Sequence, residues 1–191
     1  VALLGGLERD GMVKGMKVQF GCGEFRPEGW HNFDREVDVR RPLPFEDGAV
    51  EFILAEHVVE HVSHAEAIGF FRECRRILKP GGVLRVAVPG VERAALCCDD
   101  AVLAEQVAQG WMAEATARAM VIRVATATGH QSAWTERLLS VLMWGAGFDT
   151  ERCEPVRSRI PEFDWMTGCR MRPGGDRLDW FETVVVEGTK A

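Results

Sequence analysis

Between Val50 and Val88 the chain alternates strand, helix and strand, and this alternation constrains its fold more than any other feature. Val50-Glu51-Phe52-Ile53-Leu54-Ala55 is apolar, partly β-branched and preceded by the turn-forming Glu46-Asp47-Gly48, which reads as a buried strand. Ser63-His64-Ala65-Glu66 has the form of a capping box: the hydroxyl accepts from an early helical N–H while the carboxylate reaches back. Ala67, Phe71, Cys74 and Leu78 recur at helical spacing, leaving Arg72, Glu73, Arg75 and Arg76 to water, and Pro80-Gly81-Gly82 ends the segment. Val83 to Val88 is a second strand, closed by Pro89-Gly90. The pattern predicts an α/β protein with a mostly parallel sheet and a right-handed crossover.

Upstream, Lys17-Val18-Gln19-Phe20 is a short strand running straight into Gly21-Cys22-Gly23, and Trp30 to Asp34 is the next strand. Only about ten residues separate the two, so the first crossover is shortened and its helix is a stub or absent. Downstream, Asp99 to Thr128 is Ala-rich and helical, bends near Gly110 and could cover a ligand pocket. Thr135 to Ala146 is a further helix, with Gly147 as its stop. Two late strands, Thr150 to Val156 and Thr183 to Gly188, flank a long loop containing Phe163, Trp165 and Trp180.

A length of 191 residues fits one domain, residues 1–191. The 47% hydrophobic and 27% charged content is that of an ordinary soluble protein, and no apolar run approaches the ~18 residues of a membrane span. Val1 to Gly6 lacks the basic start and small-residue cleavage site of a signal peptide, so a signal peptide is poorly supported, and the cytoplasmic location expected for the chain rests on its cysteines. The net charge of −6 argues against a nucleic-acid surface, which needs clustered Lys and Arg; Arg40-Arg41 and Arg75-Arg76 read as solvated faces. The cysteines Cys22, Cys74, Cys97, Cys98, Cys153 and Cys169 form no C-x-x-C pair and are expected to be reduced thiols.

Ligands of open parallel sheets bind beyond the carboxyl ends of the strands, where Gly21-Cys22-Gly23 lies. Asp34, ending the next strand, can accept both hydrogen bonds of a ribose diol or simply face solvent. A dinucleotide is disfavoured because Arg26 stands at the third glycine position of G-x-G-x-x-G and Pro27 follows it. No G-x-x-x-x-G-K-S/T pattern occurs, which disfavours an ATP-type phosphate loop.

Four segments, in order, give the chain its family likeness: Val18-Gln19-Phe20-Gly21-Cys22-Gly23; Gly29-Trp30-His31-Asn32-Phe33-Asp34; Pro42-Leu43-Pro44-Phe45-Glu46-Asp47; and Arg72-Glu73-Cys74-Arg75-Arg76-Ile77-Leu78-Lys79-Pro80-Gly81-Gly82. With these the chain resembles the class I S-adenosylmethionine-dependent methyltransferases, in particular the compact branch with the type 11 methyltransferase domain. The resemblance implies a Rossmann-like domain with a mostly parallel seven-stranded sheet and an antiparallel last strand. It implies S-adenosylmethionine as cofactor, bound by Gly21, Cys22 and Gly23, with Asp34 on the ribose hydroxyls and Asp38 capping the adenine. Glu56 and His57 would line the cofactor and acceptor mouth. Gln19 stands where many relatives carry an acid, and Phe25 replaces a third glycine.

His57-Val58-Val59-Glu60-His61 matches H-x-x-E-H, the inverted zinc-peptidase pattern, but it lies at a strand-to-helix junction rather than on a helix, and no metal ligand is assigned from it. The resemblance accounts for a similar turn without metal. If the acceptor is a hydroxyl needing deprotonation, His57 or His61 has a suitable ordinary pKa near 6.5 and Glu60 could orient one of them. His64 reads as an exposed first-turn residue. His130 and Trp134 resemble a position that closes over the pocket in relatives, and Phe163, Trp165 and Trp180 are expected to cover the sheet or carry an acceptor. Arg157, Arg159 and Arg170 could hold an anionic or sugar-linked acceptor. The expected acceptor is a small molecule or glycan, with neither nucleic acid nor membrane as partner; a catalytically degenerate nucleoside-binding protein and a zinc hydrolase are the alternatives.

Overall fold

The computed structural model describes residues 15–96, 100–126, 129–154, 157–163 and 183–191. Six strands form one sheet: β1 (Met16–Phe20), β2 (His31–Phe33), β3 (Val50–Glu56), β4 (Leu78–Pro89), β5 (Phe148–Cys153) and β6 (Thr183–Lys190), in the order β2-β1-β3-β4-β6-β5. β1, β2, β3 and β4 are parallel, while β6 runs antiparallel to both its neighbours. The antiparallel last strand is as expected, but the described residues hold six strands rather than seven. Residues 34–49, between β2 and β3, run as successive turns, and Pro42 and Pro44 lack the N–H a ladder requires.

The helices capped by Ser63 and Thr135 form where the sequence places them, while the stretch read as one bent helix from Asp99 is two helices and a further short helix precedes it. α1 (His64–Ile77) starts at a complete capping box: Ser63 Oγ accepts from Glu66 N, and the Glu66 carboxylate accepts from Ser63 N at 2.8 Å. Its buried face, Ala67, Phe70, Phe71, Cys74 and Ile77, packs on the sheet beside α5 (Glu136–Gly145), which buries Leu139 and Met143. α2 (Val91–Leu96), α3 (Asp100–Ala108) and α4 (Ala117–Thr126) follow β4 and share a smaller apolar cluster of Ala94, Leu103, Met120 and Val124. The bend between α3 and α4 includes Gly110, at φ 72°. Pro80-Gly81-Gly82 is not simply a helix stop. α1 already ends at Ile77, and β3 and β4 pair both at Val50↔Leu78 and at Phe52↔Val83, so Lys79 to Gly82 is looped out of one long strand.

Residues 21–30 contain no helix, so the first crossover is a set of tight turns that carries Trp30 onto the sheet face opposite α1. There Trp30 and Phe163 tilt together with ring centroids 5.7 Å apart, over Leu54 and Val83. Phe163 is thus a cover for the sheet; Trp165 and Trp180 lie outside the described residues.

Two arginines read as solvated hold loops in place instead. Arg75 Nε donates to Gly147 O at 3.0 Å. Arg76 donates to Leu43 O at 3.0 Å, Phe45 O at 2.9 Å and Asp47 Oδ1 at 2.7 Å, and to both oxygens of Glu73. Glu73 in turn accepts from Leu43 N at 2.9 Å. The guanidinium therefore clamps the Leu43–Asp47 turn onto α1, a use that a helical-wheel argument cannot see because its acceptors lie about thirty residues away. Arg76→Met is expected to cost about 2–3 kcal/mol at pH 7, since the loop carbonyls and a carboxylate lose a charged donor at a partly buried site. The hydrogen bond from Arg76 is the largest influence holding the Glu73 carboxyl below its ordinary value near 4.5. A depressed folded-state value contributes stability that is complete above the unfolded value and disappears as pH falls through the folded one. Urea midpoints of wild type and variant should therefore converge on acidification below about pH 4.5; a constant gap would detach Glu73 from the clamp.

Candidate functional site

In the sheet order, β1 has β2 on one side and β3 on the other, so the chain's direction of winding reverses at β1. Such a switch point opens a crevice beyond the carboxyl ends of the strands. A cleft of about 530 Å³ lies there, within the range of small-molecule sites, and Phe20, Gly21, Asp34, Asp38, His57 and His61 are among its walls.

Each wall has a local cause. Gly21 ends β1 at φ 73°, and a Cβ there would sit 2.5 Å from Glu56 O and from Val58 Cγ2, so only glycine lets β1 and β3 end side by side. Gly23, at φ 52°, has open space where a Cβ would be. Asp34 follows β2, partly exposed, and its N–H donates to Glu36 Oε2 at 2.6 Å. Asp38 faces the cleft but is held by Arg40, whose Nε and Nη2 reach its two carboxylate oxygens at 2.8 and 3.1 Å. That hydrogen bonding keeps the Asp38 carboxyl below its ordinary value. Arg40 is exposed, as the sequence reading has it, and also lines the cleft, with the acid two positions earlier as its only sequence signal.

His57 leaves β3 in the left-handed region, φ 52°, the one described non-glycine residue with positive φ. Its N–H donates to Ala87 O at 3.0 Å and its Nδ1 lies 3.1 Å from Glu60 Oε1. Val59–His61 is a single 3-10 turn, so His57 and His61 do not share a helical face as the zinc-peptidase pattern requires. Glu60 is buried behind His57 and is not on the cleft wall, nor are Cys22, Gly23 and Glu56. Burial pushes the Cys22 thiol up, which keeps it neutral.

The remaining sequence candidates scatter. Trp134 is fully buried, its Nε1 donating to Ser132 Oγ at 2.8 Å, and belongs to the core. His64 is partly buried rather than exposed: its ring meets Trp134 edge-on at 4.8 Å and its Nε2 lies 3.1 Å from Ala133 O. His130 lies against His61, ring centroids 5.0 Å apart. Arg159 pairs with Glu151, Arg157 is exposed, and Arg170 lies outside the described residues, as do Cys97, Cys98 and Cys169. The helices α2 to α4, expected near a pocket, contribute no wall to this cleft.

Residues 20–86 match the family model of a methyltransferase domain. A structure of an S-adenosylmethionine-dependent methyltransferase from Mesorhizobium loti superposes over 92% of this chain and 90% of its own with a TM-score of 0.52, at 13% identity. The fold is that of the class I S-adenosylmethionine-dependent methyltransferases. A methyltransferase of Thermotoga maritima aligns over 94% of this chain and 84% of its own at 17% identity and a TM-score of 0.49. The apo form of the methyltransferase SibL aligns over 84% of this chain at 16% identity and a TM-score of 0.46, and there the chain spans only 36% of the solved protein. No curated protein sequence matches the chain significantly. Within the class I fold, residues 20–86 run from the last residue of β1 into β4, and every cleft wall named above falls inside that stretch.

Proposed function

We propose that this chain is a cytoplasmic methyltransferase that binds S-adenosylmethionine in the cleft at the ends of β1, β2 and β3 and methylates a small-molecule or glycan acceptor. The observation that carries this reading is the coincidence of the methyltransferase-domain match with the segment that builds the cleft. The residues fit such a ligand: Gly23 leaves open space above a left-handed turn, Asp34 offers a partly exposed carboxylate at a strand end, and the cleft is large enough for a nucleoside-sized molecule. Gly21 would meet the amino-acid end on the cleft wall, the turn at Cys22 and Gly23 just beyond that wall would extend the contact, and Asp34 would hold the ribose hydroxyls and Asp38 the adenine edge, with Glu56 behind them.

S-adenosylmethionine supplies an electrophilic methyl group on a sulfonium. The protein's task is alignment of the acceptor in line with it, which can account for most of the acceleration. His57, oriented by Glu60, or His61 on the same wall would take the acceptor's proton, a contribution of about 10²–10⁴-fold where the acceptor needs deprotonation. The acidic balance supports an acceptor other than nucleic acid, and none of the helices among the described residues is long and apolar enough to cross a membrane.

Calorimetric titration with S-adenosylmethionine and S-adenosylhomocysteine tests the reading. One molecule of each should bind per chain, with affinity at least tenfold weaker in Asp34→Ala. Absence of binding by folded protein would overturn it. Saturable binding without release of S-adenosylhomocysteine across hydroxyl, amine and thiol acceptors would leave a binding protein rather than an enzyme.

A further inference from the structure

Glu60, His61 and His130 meet beside the cleft although seventy residues separate the last from the first two. The loop carrying His130 is fastened to the 3-10 turn: Gln131 N and Ser132 N donate to Glu60 O at 2.7 and 3.2 Å, Gln131 Nε2 to His61 O at 2.8 Å, and Ser132 Oγ to Val62 O at 2.8 Å. One side-chain donor atom from each of the three residues lies within 4.8 Å of the other two. We propose that these three side chains bind one divalent transition-metal ion of the zinc class.

Three observations support a metal over simple packing. Glu60 is 1% exposed, and while its Oε1 is engaged by His57, its Oε2 is buried without a hydrogen-bond partner. A buried carboxylate oxygen in that state is costly, and a cation among the three residues would satisfy it. The His130 Nδ1 lies 2.7 Å from Val124 O; a carbonyl only accepts, so Nδ1 carries the proton and Nε2 of the neutral ring keeps its lone pair. Histidine ligands characteristically donate their other N–H to a carbonyl or carboxylate, and ligating carboxylates are themselves hydrogen-bonded, as Glu60 is by His57. Finally, the His61 ring makes no hydrogen bond among the described residues, and it also lines the cleft, so it is held beside His130 with its nitrogens uncommitted.

Two imidazoles and one carboxylate are a donor set that suits zinc and leaves a fourth position for water or an acceptor oxygen. Bonds of about 2.0–2.1 Å place tetrahedral donors roughly 3.4 Å apart, so donors already within 4.8 Å need only small side-chain rotations to close. This set differs from H-x-x-E-H as a sequence pattern: His57 orients the carboxylate, and the second histidine ligand comes from the loop before α5.

The test is calorimetric titration of zinc chloride into chelator-stripped protein, with thermal unfolding measured with and without zinc. One ion should bind per chain. Affinity should fall at least tenfold in His61→Asn and in His130→Asn and stay unchanged in His31→Asn, which alters an exposed histidine on β2. Zinc should raise the melting temperature of wild type and of His31→Asn but not of His61→Asn. His61→Asn decides the matter if His130→Asn, which also loses the bond to Val124, does not fold. Absence of stoichiometric binding, or binding that survives His61→Asn or falls equally in His31→Asn, overturns the site. Because S-adenosylmethionine is not present in these titrations, either result leaves the methyltransferase reading to its own test.

Discussion

Arg85→Met should destabilise the protein by about 3–5 kcal/mol, lowering the melting temperature by on the order of 10 °C. Arg85 on β4 and Glu187 on β6 are directly paired across antiparallel strands, 0% and 3% exposed, with Nη1 and Oε1 2.6 Å apart. Ser158 Oγ donates to the same carboxylate oxygen at 2.5 Å, and Arg85 Nη2 reaches Glu154 O at 3.3 Å. Removing the guanidinium leaves a carboxylate inside the protein with no charged partner among the contacts described for it, and that residual charge rather than the lost bond sets the size of the effect. Desolvating both ions is itself expensive, so the double variant Arg85→Met/Glu187→Leu should regain most of the loss. A denaturant double-mutant cycle measures this directly. A single-variant cost below about 1 kcal/mol would mean that water reaches the pair and that its burial is not what the geometry implies.

The second large effect separates two glycines that look equivalent in the sequence. Gly21→Ala should cost about 3 kcal/mol or more, because it combines the roughly 1–2 kcal/mol penalty of a left-handed Cβ with an overpacking contact against the Glu56 carbonyl. That carbonyl belongs to β3 and cannot rotate away as a flexible side chain could. Gly23→Ala meets nothing within 4 Å and should lose only the conformational term, roughly 1–2 kcal/mol. If the open side of Gly23 receives the cofactor, the milder variant should nevertheless weaken S-adenosylhomocysteine binding, by tenfold or more. Chemical denaturation should then separate the two variants, while titration should show weakened binding in Gly23→Ala despite its smaller stability loss. Equal stability losses would show that the Glu56 carbonyl yields; unchanged affinity in Gly23→Ala would take that residue out of the cofactor site.

Most of the fold could be read from local signals. The capping box at Ser63 and Glu66, the helical recurrence of Ala67, Phe71 and Cys74, and the apolar runs of β3 and β4 all depend on residues within a turn or two of each other. The missing first helix followed from chain length alone, since the residues between β1 and β2 leave no room for a helical crossover. Gly21 and Asp34 could be nominated together because a parallel sheet brings its strand ends to one edge, while Asp38 and His57 are implied by the family resemblance and His61 by its place in the turn after β3; all five line the cleft.

The sequence by itself determined which segments become strands and helices, and the start of α1 at its capping box, because caps, glycines and hydrophobic periodicity are local physical preferences. Only the tertiary structure decided which distant groups meet. It turned Arg76 from a solvated charge into the clamp of the Leu43–Asp47 turn, matched Arg85 to Glu187 across two strands, and set His130 beside Glu60 and His61. Each of these pairings joins residues about thirty or more positions apart, and their partners are fixed by strand order and loop path, quantities that no local spacing encodes.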